Sequence, residues 1–311
     1  MVNPLLEGLK GKRCLVTGAA GMIGRQVIRL LREAGVDVEP TDARSVAGQT
    51  ILLADLSHFE VCQHVTKNRD FVFHIAGKKG SAKDTHEHAS RYLVPMLQMD
   101  ANMLRACAEN GVPRLVYTSS IGAYAASQQP FKEDVDRDFP PMDPICWAKR
   151  MGELQIAMAY KERGLNWGCV RLAATYGPHD TFSEGAMLMP SLMFKIKRGD
   201  NPVGMGSPYP IRDFLYAGDA AEGIIRAAVK GTNGDFVNLG SGTACTVSEL
   251  VDTIGKVIPF TYTFDTESPA IYQSRVMDIN RAKEWLEWEP KVSLEEGLRR
   301  TWEWYLQEES C

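Results

Sequence analysis

Thr17-Gly18-Ala19-Ala20-Gly21-Met22-Ile23-Gly24 stands near the start of this 311-residue chain, and its setting decides the fold. Directly before it, Arg13–Thr17 (RCLVT) is a short apolar run ending in β-branched residues, and it reads as a strand. Directly after it, residues 24–34 place Val27, Ile28, Leu30 and Leu31 on one side of a helix. Glycine is needed where the chain turns sharply out of a strand, where backbones approach closely, and where a helix packs on a sheet. Gly18, Gly21 and Gly24 are spaced for those three tasks. The first N–H groups of a helix lack intrahelical partners and attract anions.

Moving outward, Asp42 closes the second predicted strand, residues 36–41, eighteen residues after Gly24. A carboxylate there accepts hydrogen bonds from ribose hydroxyls and repels a 2′-phosphate. The stretch therefore predicts a dinucleotide cradle that takes NAD, with NADP disfavoured. Arg25 and Arg44 stand close by as the alternative, since either can pair with a 2′-phosphate. The expected cofactor contacts are Gly18, Gly21, Met22, Ile23 and Gly24 in the cradle and Asp42 on the ribose. Asp55 and Leu56 flank the adenine after the third strand, and Ala76 follows the fourth. Asp55 or Ser57 fits equally well as a helix N-cap.

Further strands are predicted over 51–54, 71–75, 114–118 and 166–172, and helices over 99–109 and 147–162. Such alternation implies right-handed crossovers and a doubly wound parallel sheet of the Rossmann type. After Tyr176 the texture changes, with Pro178, Pro190, Pro202, Pro208 and Pro210 breaking shorter elements. A helix is predicted over 214–229, a strand over 236–239, and an amphipathic helix with Trp302 and Trp304 in the tail from Asn280. The expected layout is an α/β cofactor domain over 1–175 and a smaller substrate lobe over 176–311. Segments near 212–256 return to the first domain. Ligands then sit at the carboxyl ends of the strands.

Composition narrows the function classes. The chain is 44% apolar and 24% charged, ordinary for a globular protein. Its formal net charge is −4, with no run of Lys and Arg, which argues against nucleic-acid or membrane-surface partners. No apolar stretch reaches the ~20 residues of a membrane span, and residues 1–12 lack the pattern of a signal peptide. Seven cysteines are scattered without a CxxC pair, so no metal site is expected. They read as reduced, mostly buried thiols of a cytoplasmic protein.

The chain resembles extended short-chain dehydrogenase/reductases of the NAD-dependent epimerase/dehydratase group. The likeness rests on TGAAGMIG (17–24), HIAG (74–77), YTSS (117–120), YGPHD (176–180), IRDF (211–214), NLGSG (238–242) and LEWEP (286–290). Within the group it is most similar to GDP-fucose synthase-like enzymes, through AGKKG (76–80), WAKRMG (147–152) and PHDTF (178–182). The resemblance implies a nucleoside-diphosphate sugar as substrate. It also implies a homodimer packed through the helices near 99–109 and 147–162.

The resemblance further implies a catalytic Ser, Tyr and Lys. Ser120 matches the serine and Lys149 the lysine, but the tyrosine position four residues before Lys149 holds Ile145. No tyrosine in the chain has a lysine four residues later. An isoleucine cannot move a proton, so the acid–base groups are rearranged. Tyr124, Cys146 and His179 are the candidates to replace it. The acidic pair of the family's 4,6-dehydratases is replaced by Ile121 and Gly122, which disfavours that elimination. The fucose-synthase cysteine, two residues before Tyr124, is also Gly122, whereas the matching histidine is present as His179. Tyr124 is expected to border the substrate, and Arg212 and Arg275 to bind its diphosphate. The sequence thus reads as an NAD-dependent nucleotide-sugar epimerase or oxidoreductase with an atypical site. The alternative is a non-catalytic NAD or nucleotide-sugar binding protein of the same fold.

Overall fold

A computed structural model describes residues 4–126, 129–135, 139–267 and 274–308. The strands of the main sheet in its first part are β1 (Arg13–Thr17), β2 (Asp37–Asp42), β3 (Leu52–Leu53), β4 (Phe71–His74), β5 (Arg114–Ser120) and β6 (Gly168–Leu172). They are followed by β7 (Ala174–Tyr176), β8 (Val203–Met205), β9 (Ile211–Arg212), β10 (Phe214–Tyr216) and β11 (Val237–Leu239). Last come β12 (Cys245–Thr246), β13 (Tyr262–Phe264) and β14 (Ser274–Arg275). The main sheet runs in the order β11-β6-β5-β4-β1-β2-β3, and its pairings are parallel throughout. This is the doubly wound Rossmann order with an added outer strand.

The central strands are buried along their length, as a sheet covered on both faces requires. A short helix α1 (Pro4–Glu7) precedes the sheet. The helices that follow are α2 (Met22–Glu33), α3 (Phe59–Thr66), α4 (Ala82–Glu87), α5 (Ala89–Glu109), α6 (Trp147–Arg163), α7 (Leu188–Arg198) and α8 (Ala217–Lys230). Then follow α9 (Val247–Val257), α10 (Asn280–Leu286) and α11 (Leu294–Gln307). Helices α2 and α8 pack together on one face, while α3, α5 and α6 pack together on the other. The core between them includes Leu15, Val16, Val72, Leu115, Val170 and Ile224, all fully buried. Truncating any one to alanine is expected to destabilise by about 2–5 kcal/mol. A second, smaller core joins Met193, Leu250, Ile254 and Leu298.

Two local expectations change. The apolar run over 214–229 is not one helix: Phe214–Tyr216 pairs in parallel with β7, and α8 begins at Ala217. A short apolar run at a helix start carries no periodicity to separate the two states. Helix α5 begins at Ala89, ten residues earlier than expected, and carries Pro95 within it. The tail from Asn280 ends in the expected amphipathic helix bearing Trp302 and Trp304, which is α11, with α10 preceding it. Among the described cysteines all six are free thiols, five of them buried, and Cys311 lies outside the described residues. No helix among the described residues is long and apolar enough to cross a membrane.

Candidate active site

The strand order reverses between β1 and β4, and the Gly-rich turn leaves β1 at that crevice. Gly18 has φ +70°, the left-handed region that favours glycine. A Cβ there would lie 2.8 Å from the Ala76 backbone nitrogen, so the turn and the end of β4 touch backbone to backbone. A Cβ at Gly24 would lie 2.1 Å from the Gly18 carbonyl oxygen. No side chain caps α2 at Gly21, which leaves its first amides to an incoming anion. Met22 and Ile23 form the first turn of that helix. Asp42 ends β2, nine-tenths buried. Its carboxylate accepts from the Ala20 N–H (3.0 Å) and the Arg44 N–H (3.0 Å), so it also pins the Gly-rich turn. Asp55 is exposed after β3 and accepts from the Ser57 N–H (3.0 Å), while Leu56 is buried behind it. These residues fit a dinucleotide. Uncapped amides and glycines suit the pyrophosphate, and the Asp42 carboxylate suits a ribose.

Ser120 ends β5, where its Oγ accepts from the Gly122 N–H (3.2 Å) in the 3-10 turn that follows. The Cys146 thiol reaches the same hydroxyl. Burial, reinforced by the charge of Asp143, pushes that thiol up to about 12, so it carries no thiolate at neutral pH. A Cβ added at Gly122 would lie 2.1 Å from Asp143 Oδ2 and 2.9 Å from Cys146 Sγ. Asp143 and Arg275 form a two-pronged ion pair, with Nη1–Oδ2 at 3.0 Å and Nη2–Oδ1 at 3.1 Å. The β9–β14 register sets Arg212 directly opposite Arg275.

Lys149 lies in α6, but its Nζ points inward. It donates to Asp100 Oδ2 (3.3 Å) and rests 4.8 Å from the Tyr117 ring centre. Asp100, on α5, also accepts from the Tyr117 hydroxyl (2.6 Å) and pairs with His74 Nε2 (3.1 Å). His74 Nδ1 in turn meets Thr17 Oγ1 (2.9 Å), which accepts the Ile75 and Ala76 N–H groups, each at 3.2 Å. With two donors already on Thr17 Oγ1, the hydroxyl proton falls to His74 Nδ1, and the ring proton to Nε2. Burial pushes the Asp100 carboxyl up. The Lys149 charge, with the bonds from His74 and Tyr117, outweighs it and draws the carboxyl below its ordinary range. Asp100 is the residue that sequence reasoning missed, because it belongs to no spaced motif.

A family description, the NAD dependent epimerase/dehydratase family, matches residues 14–240. The chain belongs to that family. It is 28% identical to a UDP-N-acetyl-alpha-D-glucosaminuronate decarboxylase of Bacillus cytotoxicus, over 94% of this chain and 98% of that protein. It is 26% identical to the GDP-L-fucose synthase of Escherichia coli, over 95% of this chain and 97% of the relative. An epimerase of Methanothermobacter thermautotrophicus superposes with a TM-score of 0.88 at 25% identity, covering 100% of this chain and 96% of the other.

Within this family member, the position expected for tyrosine is apolar in its surroundings as well as its identity. Ile145 is half-buried against an apolar cluster of Tyr92, Met96 and Ala148. Tyr124, expected at the substrate wall, is instead 1% exposed. Its ring stacks on Phe131 at 4.6 Å, the Arg171 guanidinium sits 4.2 Å from its centre, and its hydroxyl donates to Asn238 (2.8 Å). Burial pushes the phenol upward. Tyr124 is a core residue with no face for a substrate, which corrects the expectation. His179 has φ +68° and its Nδ1 lies 3.1 Å from Arg25 Nη1. Its ring lies 4.5 Å from that of Trp304. Burial, then the charge of Arg25, lowers it from 6.5 to about 4, so the ring is neutral at pH 7. Arg212 donates from Nη1 to the Ile211 carbonyl (2.7 Å), and the carboxylate of the adjacent Asp213 accepts from the Ser241 and Gly242 N–H groups.

Proposed function

We propose that this enzyme binds a nucleoside-diphosphate sugar beside its dinucleotide and acts on it as an epimerase or oxidoreductase. One observation carries the reading: Ser120, at the end of β5, and the facing pair Arg212 and Arg275 flank a single segment, Gly122 with Asp143. A sugar held by Ser120 and a diphosphate held by the two arginines then belong to one ligand. The relatives whose names specify UDP- and GDP-linked sugars support that class. NAD, when bound, supplies hydride acceptance and return. The chain would hold it with Gly18, Gly21, Met22, Ile23 and Gly24 around the pyrophosphate and Asp42 at the ribose. Asp55, Leu56 and Ala76 complete the border, and the Lys149–Asp100 pair lies behind it. The C-terminal lobe, residues 176–311, carries the substrate arginines, and segments over 212–256 return to the sheet.

Two further assignments belong to this reading. Trp147, Met151, Leu154 and Met158 recur along one side of α6, each more than a third exposed, with Val94 of the adjoining α5 half exposed. Such a stripe suits a homodimer through α5 and α6. The six free thiols suit a reducing compartment, the cytoplasm.

The alternative, a binding protein without chemistry, is favoured by the apolar packing at Ile145 and the sequestered Lys149. The NADH absorbance band, followed while purified protein meets a panel of nucleotide sugars and their 4-keto forms, decides between them. Hydride transfer, or solvent deuterium entering a sugar, removes the binding-only reading. Silence across the panel removes the enzyme reading.

A further inference from the structure

The fucose-synthase pattern places a side chain at position 122 to move protons at a carbon beside a ketone, and this chain has glycine there. The space is not empty. The first carbon of such a side chain would collide with the Asp143 carboxylate at 2.1 Å and come within 2.9 Å of the Cys146 thiol. Of the two groups now in that place, the thiol is pushed up to about 12 by burial and is a poor base. The carboxylate is the proton acceptor that remains. The backbone fixes it, since the Asp143 N–H donates to the Gly122 carbonyl (3.1 Å) and the Met142 N–H to that of Tyr124.

We propose that Asp143 is the acid–base residue of this site, acting on a 4-keto nucleoside-diphosphate sugar, and that Arg275 exchanges Asp143 for the substrate diphosphate. The proposal rests on the diphosphate reading of Arg212 and Arg275 given above. Asp143 stands between the two subsites, with Ser120 and Gly122 on one side and Arg275 on the other. A sugar hanging from a diphosphate at Arg275 must pass it. The two-pronged geometry that joins Arg275 to a carboxylate fits phosphate oxygens equally well. When the guanidinium turns to the diphosphate, the carboxylate faces the sugar. A C–H bond beside the ketone then breaks and its proton passes to an Asp143 oxygen. The electron pair forms a C–C double bond, and the carbonyl oxygen takes the negative charge against the Ser120 hydroxyl. Return of the proton to carbon, from Asp143 or from water, restores the ketone with either configuration. The step needs no oxidant, no phenol at position 145 and no thiolate. Besides Arg275 and the Cys146 thiol, His86 faces the carboxylate, with its Nε2 3.8 Å from Asp143 Oδ1.

Two measurements on the NAD-loaded protein test this. Isothermal titration with UDP reads the exchange. R275Q should weaken binding about tenfold or more, whereas D143N, which removes the competing anion, should tighten it several-fold. Proton exchange is read by NMR of UDP-4-keto-6-deoxyglucose in deuterium oxide. D143N should slow deuterium entry at least about 10²-fold, and D143E should recover part of the rate. If UDP binds equally well to R275Q, the diphosphate subsite is wrong and the proposal falls with it. If R275Q weakens UDP binding but D143N exchanges deuterium at the parent rate, or the parent exchanges none, Asp143 is not the base and the subsite stands. Unchanged or weaker UDP binding by D143N overturns the exchange of partners.

Discussion

Lys149 Nζ lies 3.3 Å from Asp100 Oδ2, inside the protein, with only 2% of the carboxylate side chain exposed. The pair ties α5 to α6 and continues through His74 to Thr17, the residue that enters the cofactor turn. An ammonium held this way spends its charge on Asp100 and has less to lend to a neighbouring phenol. The same chain of bonds makes the cradle and Lys149 one mechanical unit.

Breaking that pair should be costly. Asp100→Asn leaves Lys149 charged and without its counter-charge in a buried place, and stability should fall by about 3–5 kcal/mol. Urea unfolding at pH 7 measures it. Because the folded state draws the Asp100 carboxyl down, its contribution is complete above the unfolded value, about 3.9. It is lost as the pH falls through the lower folded value. The gap between parent and variant should therefore persist to about pH 4 and close only in stronger acid. A difference below 1 kcal/mol at pH 7 would contradict the account.

His179 gives the same sign in a higher pH window. Folding lowers its basicity from 6.5 to about 4, so between those values the unfolded chain takes up the proton that the folded chain refuses. Stability from this group is full above pH 6.5, falls as the pH drops, and levels off below about 4. His179→Asn should flatten that acid limb in plots of Tm against pH. Asparagine is chosen because it tolerates the φ of +68° at this position. Parallel curves for parent and variant would show that His179 titrates normally.

The cradle was legible because its meaning is local: strand, turn, helix and a following acid are contiguous in sequence, and each places a backbone constraint. Gly24 illustrates it, since the spacing alone foretold a close approach that the structure puts at 2.1 Å for an added Cβ. Asp100 was illegible because its partners, His74, Tyr117 and Lys149, come from three other elements. Tyr124 misled for a related reason. Its place after the serine strand suggests a pocket wall, but the burial of the ring is decided by Phe131 and by Arg171 and Asn238, the last two distant in sequence.

Gly24→Ala tests the cradle directly. The added methyl meets a backbone carbonyl, which cannot swing aside as a flexible side chain would. NAD affinity, followed by quenching of tryptophan fluorescence, should fall at least about tenfold, with an overpacking loss of roughly 1–3 kcal/mol in stability. Unimpaired NAD binding would mean that the turn does not carry the pyrophosphate.

The stripe on α6 makes an assembly prediction. Leu154 and Met158 are 48% and 47% exposed, one turn apart. Replacing both with glutamate places two charges where a dimer would be apolar, and sedimentation should then find monomers with little change in Tm after correction for concentration. A double variant that sediments as the parent does would place any dimer contact elsewhere.

Ile145→Tyr asks whether the missing phenol is the whole difference from a conventional hydride-transferring site. Two features argue that it is not. The side chain at 145 is half-buried against the apolar cluster of Tyr92, Met96 and Ala148, a setting that disfavours a phenolate. Lys149, the group that would draw a proton off that phenol, is bonded to Asp100. Ile145→Tyr alone should leave NADH formation from a nucleotide-sugar panel within about threefold of the parent. Adding Asp100→Ser frees the ammonium, and the pair should exceed the single variant by tenfold or more, within the roughly 10²–10⁴-fold reach of general acid–base catalysis. Assays belong at low temperature, because the second change also removes the buried counter-charge. If the single variant is already as active as the double, Lys149 is not sequestered, and the Asp100 bond is incidental to the chemistry.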